Sequence, residues 1–187
     1  MSTGHTCAIV LCVVLLVTGC ESIQTHSDYD PAADFSGYRS FSWVADNPLM
    51  GSTAGGNPLT RERVQQAIVQ TLTAKGYQFV ADRNNADFVV GFTVGARDKV
   101  RVDTTTQPMG FRGPYGRWGM AYYQEVDVRE YSEGRLAIDV FDVELKRPVW
   151  HGYGTKSLTG GDEKEPEKLI NSAVAAILAD FPSGSGQ

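Results

Sequence analysis

Apolar and polar residues alternate over much of the second half of the chain, as in β-strands with one buried face. Large apolar residues stand at every second position over residues 88–94, with smaller residues between them. The alternation resumes over residues 121–131 and 136–143, and Ser132-Glu133-Gly134 between them predicts a hairpin turn. A further strand is predicted over residues 149–153. Sequential strands joined by short turns predict an antiparallel meander.

Two other segments show the spacing of amphipathic helices, with apolar residues three and four positions apart. The first follows Thr60, a residue type that caps helices, and ends at Lys75 before Gly76. The second covers residues 163–179, with Pro166 and several acidic residues in its first turns. Two such helices need a sheet face to cover. We therefore expect an α+β two-layer sandwich, a mostly antiparallel sheet covered by two amphipathic helices.

The N-terminus carries an apolar run over residues 8–17. A membrane-spanning helix needs about 20 such residues, whereas the core of a signal peptide needs about 7–15. The run ends in Leu16-Val17-Thr18-Gly19-Cys20, which resembles a bacterial lipobox. In that motif the cysteine receives a diacylglycerol and becomes the new N-terminus. We expect residues 1–19 to be a lipoprotein signal peptide and Cys20 to be lipidated, although the signal starts without Lys or Arg.

The predicted lipid anchor implies a cellular location and a division of the chain into segments. Glu21 stands where an aspartate would tend to retain a lipoprotein at the inner membrane, so we expect the periplasmic leaflet of the outer membrane. Residues 20–33 are polar and predict the lipidated cysteine and a tether. Residues 34–182 form the predicted α+β domain, beginning with a strand around Phe41 and Trp43, and residues 183–187 form a flexible tail.

Composition narrows the possible partners and cofactors. The chain carries 17 Lys and Arg against 22 Asp and Glu, and its net charge of −5 gives no electrostatic attraction to nucleic acid. Cys7 and Cys12 fall in the predicted signal peptide, so the mature chain would keep only Cys20. This count excludes a disulfide and a Cys-based zinc site within the mature chain. We expect no metal and no cofactor apart from the covalent lipid on Cys20.

Residues 110–119 combine glycines with aromatic and cationic side chains. Tyr, Trp and Arg are enriched at binding hot spots, and the segment lacks the Gly-Lys-Ser/Thr ending of a phosphate loop. The segment is either a binding loop or a hairpin excursion whose aromatic side chains fold back on the sheet. The candidate binding residues are Phe111, Arg112, Tyr115, Arg117 and Trp118.

Candidates for catalysis are few. His151 is the only histidine of the predicted domain, and we expect it at the surface or packed on a strand. Asp142 and Glu144 fall on one side of a strand and could act as a carboxylate pair on a glycan, although solvated carboxylates are commoner. Asp139 shares a face with apolar residues, so we expect it to accept hydrogen bonds from a Tyr, a Trp or the backbone.

A set of short motifs follows a fixed order along the chain: Tyr38-Arg39-Ser40-Phe41, Lys75-Gly76-Tyr77, Ala86-Asp87-Phe88, Gly134-Arg135-Leu136, Val149-Trp150-His151-Gly152 and Phe181-Pro182. Together they resemble the DUF4136 lipoproteins, a domain family of unknown function found in Gram-negative envelopes. The resemblance covers about residues 29–182. It implies an α+β envelope domain and carries over no catalytic residues.

These features favour a lipid-anchored, non-catalytic binding or structural module that faces the periplasm. Its expected partners are the membrane, through the lipid, and an unknown envelope protein or cell-wall component. The alternatives are an accessory subunit of an envelope transporter and a periplasmic glycan hydrolase that uses carboxylates. The sequence predicts no binding to nucleic acid.

Overall fold

Seven strands and three helices make up the part of the chain that the structure describes. The computed structural model describes residues 23–46, 48–52, 57–112, 114, 116 and 118–184. The strands are β1 (Gln24–Tyr29), β2 (Ser40–Trp43), β3 (Leu49–Ser52), β4 (Gln78–Phe79), β5 (Phe88–Arg112), β6 (Trp118–Asp142) and β7 (Arg147–Ser157). The helices are α1 (Pro58–Ala74), α2 (Gly160–Lys164) and α3 (Pro166–Ile177).

The strands form one sheet in the order β1-β7-β6-β5-β2-β4, with β3 also pairing with β5. The pairs β1–β7, β7–β6 and β6–β5 are antiparallel, whereas β2 and β3 run parallel to β5. The predicted mostly antiparallel sheet is therefore confirmed. Its meander consists of β5, β6 and β7, whereas the predicted one counted residues 121–131 and 136–143 as two strands. The parallel strands at the other side come from the segment before β5, where the chain returns through α1.

Helices α1 and α3 cover one face of this sheet and bury the core against it. The sheet contributes its large apolar residues, and the helices contribute one stripe each. The chain after α3 closes one end of the core with Phe181, which is 1% exposed. The α+β two-layer sandwich is thus confirmed. Its buried residues include Phe41, Phe88, Val90, Phe92, Ile138, Val140 and Trp150 of the sheet and Val64, Ile68, Leu72, Val174 and Ile177 of the helices.

The predicted tether over residues 20–33 is wrong from Gln24 onwards. Residues Gln24–Tyr29 form β1, which pairs with β7 over six residue pairs, from Gln24 opposite Thr155 to Tyr29 opposite Trp150. The segment looks like a tether because it is polar, and it is polar because it is an exposed edge strand. Its backbone hydrogen bonds with β7, rather than apolar burial, hold it in place.

The predicted hairpin turn at Ser132-Glu133-Gly134 is also wrong. β6 runs without a break from Trp118 to Asp142, and β5 pairs with it along its whole length. Gly134 faces Ala96 within the sheet, and a Cβ there would lie 3.0 Å from a methyl group of Leu158. The glycine therefore serves close packing rather than a turn.

The helices begin earlier and divide differently than predicted. α1 begins at Pro58 rather than after Thr60, because the side chain of Asn57 accepts a hydrogen bond from the Leu59 N–H at 3.0 Å. Gly76 follows α1 with a φ of 95°, the left-handed conformation expected of a C-terminal glycine. The second predicted helix is two helices, α2 and α3, divided just before Pro166. None of the described helices is both long and apolar enough to cross a membrane.

Candidate functional site

The most prominent surface of the molecule is the outer part of the β5–β6 pair. Beyond Val94 on β5 and before Glu133 on β6, no other described strand pairs with these two. We call residues 97–112 and 118–132 the ribbon. Its two strands stay in register to Arg112 opposite Trp118. At about 3.4 Å per residue, the ribbon extends roughly 50 Å from the sheet.

The two faces of the ribbon differ in chemistry because β-strand side chains alternate. One face continues the helix-covered face of the sheet but extends beyond the helices. Its valines are Val100, Val102, Val126 and Val128, each 58–60% exposed. Tyr122 and Trp118 lie on the same face towards the tip, and Trp118 is 80% exposed. We call this the apolar face. The valines form an exposed apolar patch that ends at Glu130, opposite Val100, and at Thr106 and Gln124 towards the tip. Exposed apolar patches can mark interaction sites.

The opposite face, which we call the charged face, holds Arg97, Lys99, Arg101, Asp103, Glu125, Asp127 and Arg129, and Glu133 adjoins its base. At its base the Lys99 ammonium lies 2.5 Å from a carboxylate oxygen of Glu133 and lowers the pKa of that carboxyl. Farther out, the Arg129 guanidinium donates to Asp127 at 2.6 Å, and this hydrogen bond raises the pKa of Arg129. The charged face is therefore a solvated surface on which opposite charges pair. On the apolar face, by contrast, no other described element covers the exposed valines.

The predicted binding residues lie at or beside the tip of the ribbon. Phe111 and Arg112 belong to β5 and Trp118 begins β6, while Tyr115 and Arg117 lie outside the described residues. Of the segment predicted as a loop, residues 110–112 end β5 and residues 118 and 119 begin β6. Trp118 is 80% exposed, so its side chain does not fold back on the sheet.

The predicted lipidation site Cys20 lies outside the described residues. The described residues begin at Ile23, three residues after Cys20, and β1 begins at Gln24. Gln24 pairs with Thr155, which also pairs with Arg135 of β6 near the base of the ribbon. The N-terminal segment therefore enters the sheet at the end from which the ribbon projects.

Asp142 is buried and held by hydrogen bonds within the fold. Its side chain is buried, and it accepts a hydrogen bond from the Tyr38 hydroxyl at 2.6 Å and one from the Leu145 N–H at 2.6 Å. Burial and the neighbouring carboxylate raise the pKa of Tyr38. Glu144, its predicted partner in glycan hydrolysis, is exposed in the following turn. Asp142 thus ties Tyr38 to the end of β6, and the hydrolase alternative stays a prediction.

Asp139 and His151 form a pair on the sheet face that the helices leave open. His151 Nδ1 lies 2.7 Å from a carboxylate oxygen of Asp139, and the two residues face each other between β6 and β7. The predicted partner of Asp139 was a Tyr, a Trp or the backbone, so that prediction is wrong in the identity of the donor. His151 also contacts the ring of Tyr153, over which the Arg135 guanidinium lies at 3.9 Å. The strand packing predicted for His151 is confirmed.

Two further features complete the survey of the described residues. They contain no group of three or more His, Cys, Asp or Glu side chains placed to hold a metal ion. An apolar cavity of about 290 Å³ lies between the helices and the base of the ribbon. Its walls include Ile23, Val64, Leu136, Leu158 and Ile170. The cavity is near the lower size limit of ligand pockets and has few polar groups to orient a ligand.

Sequence reasoning singled out candidate binding residues that lie at or beside the tip, but it did not predict that the ribbon is uncovered. The signal was present, since alternation continues on β5 through Val100 and Val102 and on β6 through Val126 and Val128. Alternation alone does not show whether the apolar side of a strand is covered, because buried and exposed strands share the same period. These valines are uncovered because the helices do not extend over this part of the two strands, which only the structure shows.

Comparisons with known proteins identify a matching family and similar solved structures. Residues 25–183 match the sequence profile described as "Domain of unknown function (DUF4136)". A solved DUF4136 family protein from Bacteroides thetaiotaomicron is 18% identical, with 84% of this chain and 94% of that chain covered and a TM-score of 0.53. A PelC dodecamer from Paraburkholderia phytofirmans is 13% identical, with 88% and 100% covered and a TM-score of 0.47. None of the curated proteins matches the chain.

Proposed function

This chain belongs to the DUF4136 family, whose function is unknown, and on that premise we propose that it is a lipid-anchored, non-catalytic envelope protein that binds its partner through the ribbon. The observation that carries the proposal is the uncovered apolar face, with four valines more than half exposed. A soluble domain gains nothing in stability from such a surface, and exposed apolar surface that a partner covers is the usual explanation. In contrast, the buried side-chain nitrogen and oxygen atoms of the described residues all have hydrogen-bond partners.

The second support concerns the anchor. The lipobox-like segment ends at Cys20, and Ile23 already lies against the folded domain, where it lines the apolar cavity. Three extended residues span at most about 10 Å. A lipid on Cys20 would therefore hold the domain close to the membrane surface rather than at the end of a long tether. The ribbon, which projects from the same end of the sheet, would work near that surface.

The anchor is tested with Cys20→Ala in the full chain, expressed in a Gram-negative host. We expect the wild-type chain to incorporate a clickable fatty acid and to fractionate with membranes. The variant should lose the label and, in high salt, leave the membrane fraction. A Cys12→Ala variant is the matched control, because it alters a cysteine of the same segment that the proposal does not use. Labelling of the Cys20→Ala chain would refute the anchor.

Binding through the ribbon is tested by photo-crosslinking in cells. A photoreactive residue at Tyr122, which is 69% exposed, lies on the apolar face. One at Leu145, which is 52% exposed, lies in the β6–β7 turn. We expect a discrete crosslinked band from position 122 and none from position 145. Equal, diffuse labelling from both positions would contradict a binding role for the ribbon and leave the anchor untouched.

A further inference from the structure

The apolar cavity lies at the end of the core from which the ribbon projects, over a part of the sheet that carries small residues. Ala96 on β5 stands opposite Gly134 on β6, and Gly154 lies beside them on β7. Farther from the ribbon the same face carries large side chains, such as the fully buried Phe92 and Ile138. Helices α1 and α3 lie over both parts of the face, so the change to small residues leaves a cavity of about 290 Å³ beneath them.

The side chains that wall this cavity are less completely buried than those of the rest of the core. Leu158, Leu169 and Ile170 are only partly buried, whereas Val174 and Ile177 of the same helix α3 are at most 1% exposed. A hydrocarbon in the cavity would remove the remaining apolar surface of the walls from water. An apolar cavity of about 150 Å³ in another protein already binds benzene. The present cavity has about twice that volume, so it can hold a longer hydrocarbon segment.

The charged groups of the cavity walls have partners elsewhere. Lys156 forms an ion pair with Asp162 of α2. The Arg135 guanidinium lies 3.9 Å from the centre of the Tyr153 ring, on the other face of the sheet. Lys156 and Arg135 are the two cationic residues among the described residues that line the cavity. A carboxylate or phosphate inside the cavity would therefore meet no free cation, so the cavity fits an uncharged hydrocarbon chain.

The N-terminal segment forms part of the cavity wall. Ile23 lines the cavity, and a Cβ at Gly154 would lie 3.1 Å from a methyl group of Ile23. The Ile23 side chain therefore points to the helix-covered face of the sheet. The pairing of Gln24 with Thr155 holds the segment in this position. The cavity thus lies directly beside the N-terminal end of β1.

An acyl chain on Cys20 would lie within reach of this cavity. Cys20 precedes Ile23 by three residues, which span at most about 10 Å. Each acyl chain of a bilayer spans about half of a hydrocarbon core about 30 Å thick, or roughly 15 Å. A bilayer lipid would have to leave the membrane to find the cavity, whereas a lipid on Cys20 is held beside it by the chain. The attached lipid is therefore the favoured source of the hydrocarbon.

We propose that the cavity binds one acyl chain of the diacylglycerol on Cys20 of the same molecule. The proposal rests on the proposed function for the presence of that lipid. A diacylglycerol has two acyl chains, so one chain can enter the cavity while the other stays in the bilayer. A single chain gives only marginal, reversible membrane binding. Occupation of the cavity would therefore also set how tightly the domain is held at the membrane.

Photo-crosslinking in intact Gram-negative cells identifies the occupant. A diazirine amino acid replaces Leu169, a wall residue, in the full chain, and the cells incorporate a clickable fatty acid. We expect light to join the peptide around position 169 to the lipid on the Cys20 peptide, in protein that still migrates as a monomer, as detected by mass spectrometry after proteolysis. The same amino acid at Lys168, whose side chain is 80% exposed on α3, is the matched control and should give at least tenfold less product.

A cavity-filling substitution tests whether the cavity itself holds the chain. Ala173 lines the cavity from α3, whereas Ala175 is exposed on the same helix. We expect Ala173→Leu to reduce the crosslink from position 169 at least tenfold, because the added side chain occupies the space. Ala175→Leu is the matched control and should leave the crosslink unchanged. Ala96→Leu fills the cavity from the sheet side and replaces Ala173→Leu if circular dichroism shows that the latter does not fold.

Three results would overturn the proposal alone. Fatty acid on Cys20 without a crosslink from position 169 would show that the acyl chain lies elsewhere. A crosslink to a phospholipid instead of the Cys20 peptide would identify a bilayer lipid as the occupant. A crosslink that persists in a folded cavity-filling variant would place the chain on the surface of α3. Absence of fatty acid from Cys20, measured in the same sample, would refute the anchor and this inference with it, so the two failures are distinguished.

Discussion

At the scale of single residues, the Asp87 carboxylate joins the beginning of β2 to the beginning of β5. One of its oxygens accepts the Arg39 N–H and the Ser40 N–H, each at 2.8 Å, and the Ser40 hydroxyl at 2.9 Å. Burial raises the pKa of Asp87, but these hydrogen bonds outweigh burial and the net shift is downward. Asp87 and Ser40 both belong to motifs that carried the family resemblance. Those motifs therefore mark structural contacts in the fold.

We expect Asp87→Ala to lower the free energy of unfolding by about 2 kcal/mol, because it leaves two backbone N–H groups without their acceptor. Urea unfolding followed by circular dichroism measures the change. Asp46→Ala is the matched control, since the Asp46 side chain is 99% exposed and its ion pair with Arg83 is a surface contact. A loss at Asp46 as large as that at Asp87 would contradict this account.

The contribution of Asp87 should also depend on pH. Because its folded-state pKa lies below the unfolded value of about 3.9, its stabilising effect is complete above that value and is lost as pH falls through the folded-state pKa. The difference in unfolding free energy between the wild type and Asp87→Ala should therefore be full at pH 6 and smaller near pH 3, as measured by urea titrations at both values. A difference that grows on acidification would contradict the direction of the shift.

At the scale of elements, sequence patterns located the strands better than they located the strand ends. The alternation over residues 88–94 predicted a strand with a buried face, and Phe88, Val90 and Phe92 are fully buried. The triplet at residues 132–134 looks like a turn, yet Gly134 is a position of close approach to Leu158 within β6. A turn glycine and a packing glycine look the same in sequence, because both follow from the missing Cβ.

The candidate site was predictable only in part for a related reason. Trp118 was identified from residue type, since exposed Trp, Tyr and Arg are typical of binding surfaces. The valines of the apolar face were not, because their pattern is that of a core strand. β1 was missed for the opposite reason, since an exposed edge strand held by backbone hydrogen bonds has no apolar pattern. In both cases the missing information is which neighbour covers the strand.

We expect the ribbon to be separable from the rest of the fold. Replacing residues 100–130 by Asn-Gly would join Lys99 to Tyr131, which stand directly opposite each other, through a two-residue hairpin turn. The described residues in that span lie outside the buried core. The unfolding temperature, measured by circular dichroism, should therefore stay within a few degrees of the wild type. Failure of the shortened chain to fold would show that the ribbon supports the core.

At the scale of the whole molecule, the chain after α3 closes the fold. The ring of Phe181 lies 5.3 Å from Trp150 of β7 and 5.6 Å from Phe88 of β5, centroid to centroid. The Lys75 ammonium donates to the Phe181 carbonyl at 2.7 Å, and the Tyr77 hydroxyl donates to the Pro182 carbonyl at 3.0 Å. Burial raises the pKa of Tyr77 to about 12. The segment after α1 and the C-terminus thus form one junction.

Phe181 should consequently matter to the stability of the entire domain. We expect Phe181→Ala to lower the free energy of unfolding by about 3–5 kcal/mol, the range for truncating a buried phenylalanine. The loss should appear at every probe, because the ring contacts elements from both ends of the chain. Urea titrations followed by far-ultraviolet circular dichroism and by tryptophan fluorescence measure this, with Leu145→Ala as the control at a side chain 52% exposed. Transitions that separate in Phe181→Ala would mean that the C-terminus stabilises only its own surroundings. Coincident transitions would show that the segment after α3 closes one cooperative core.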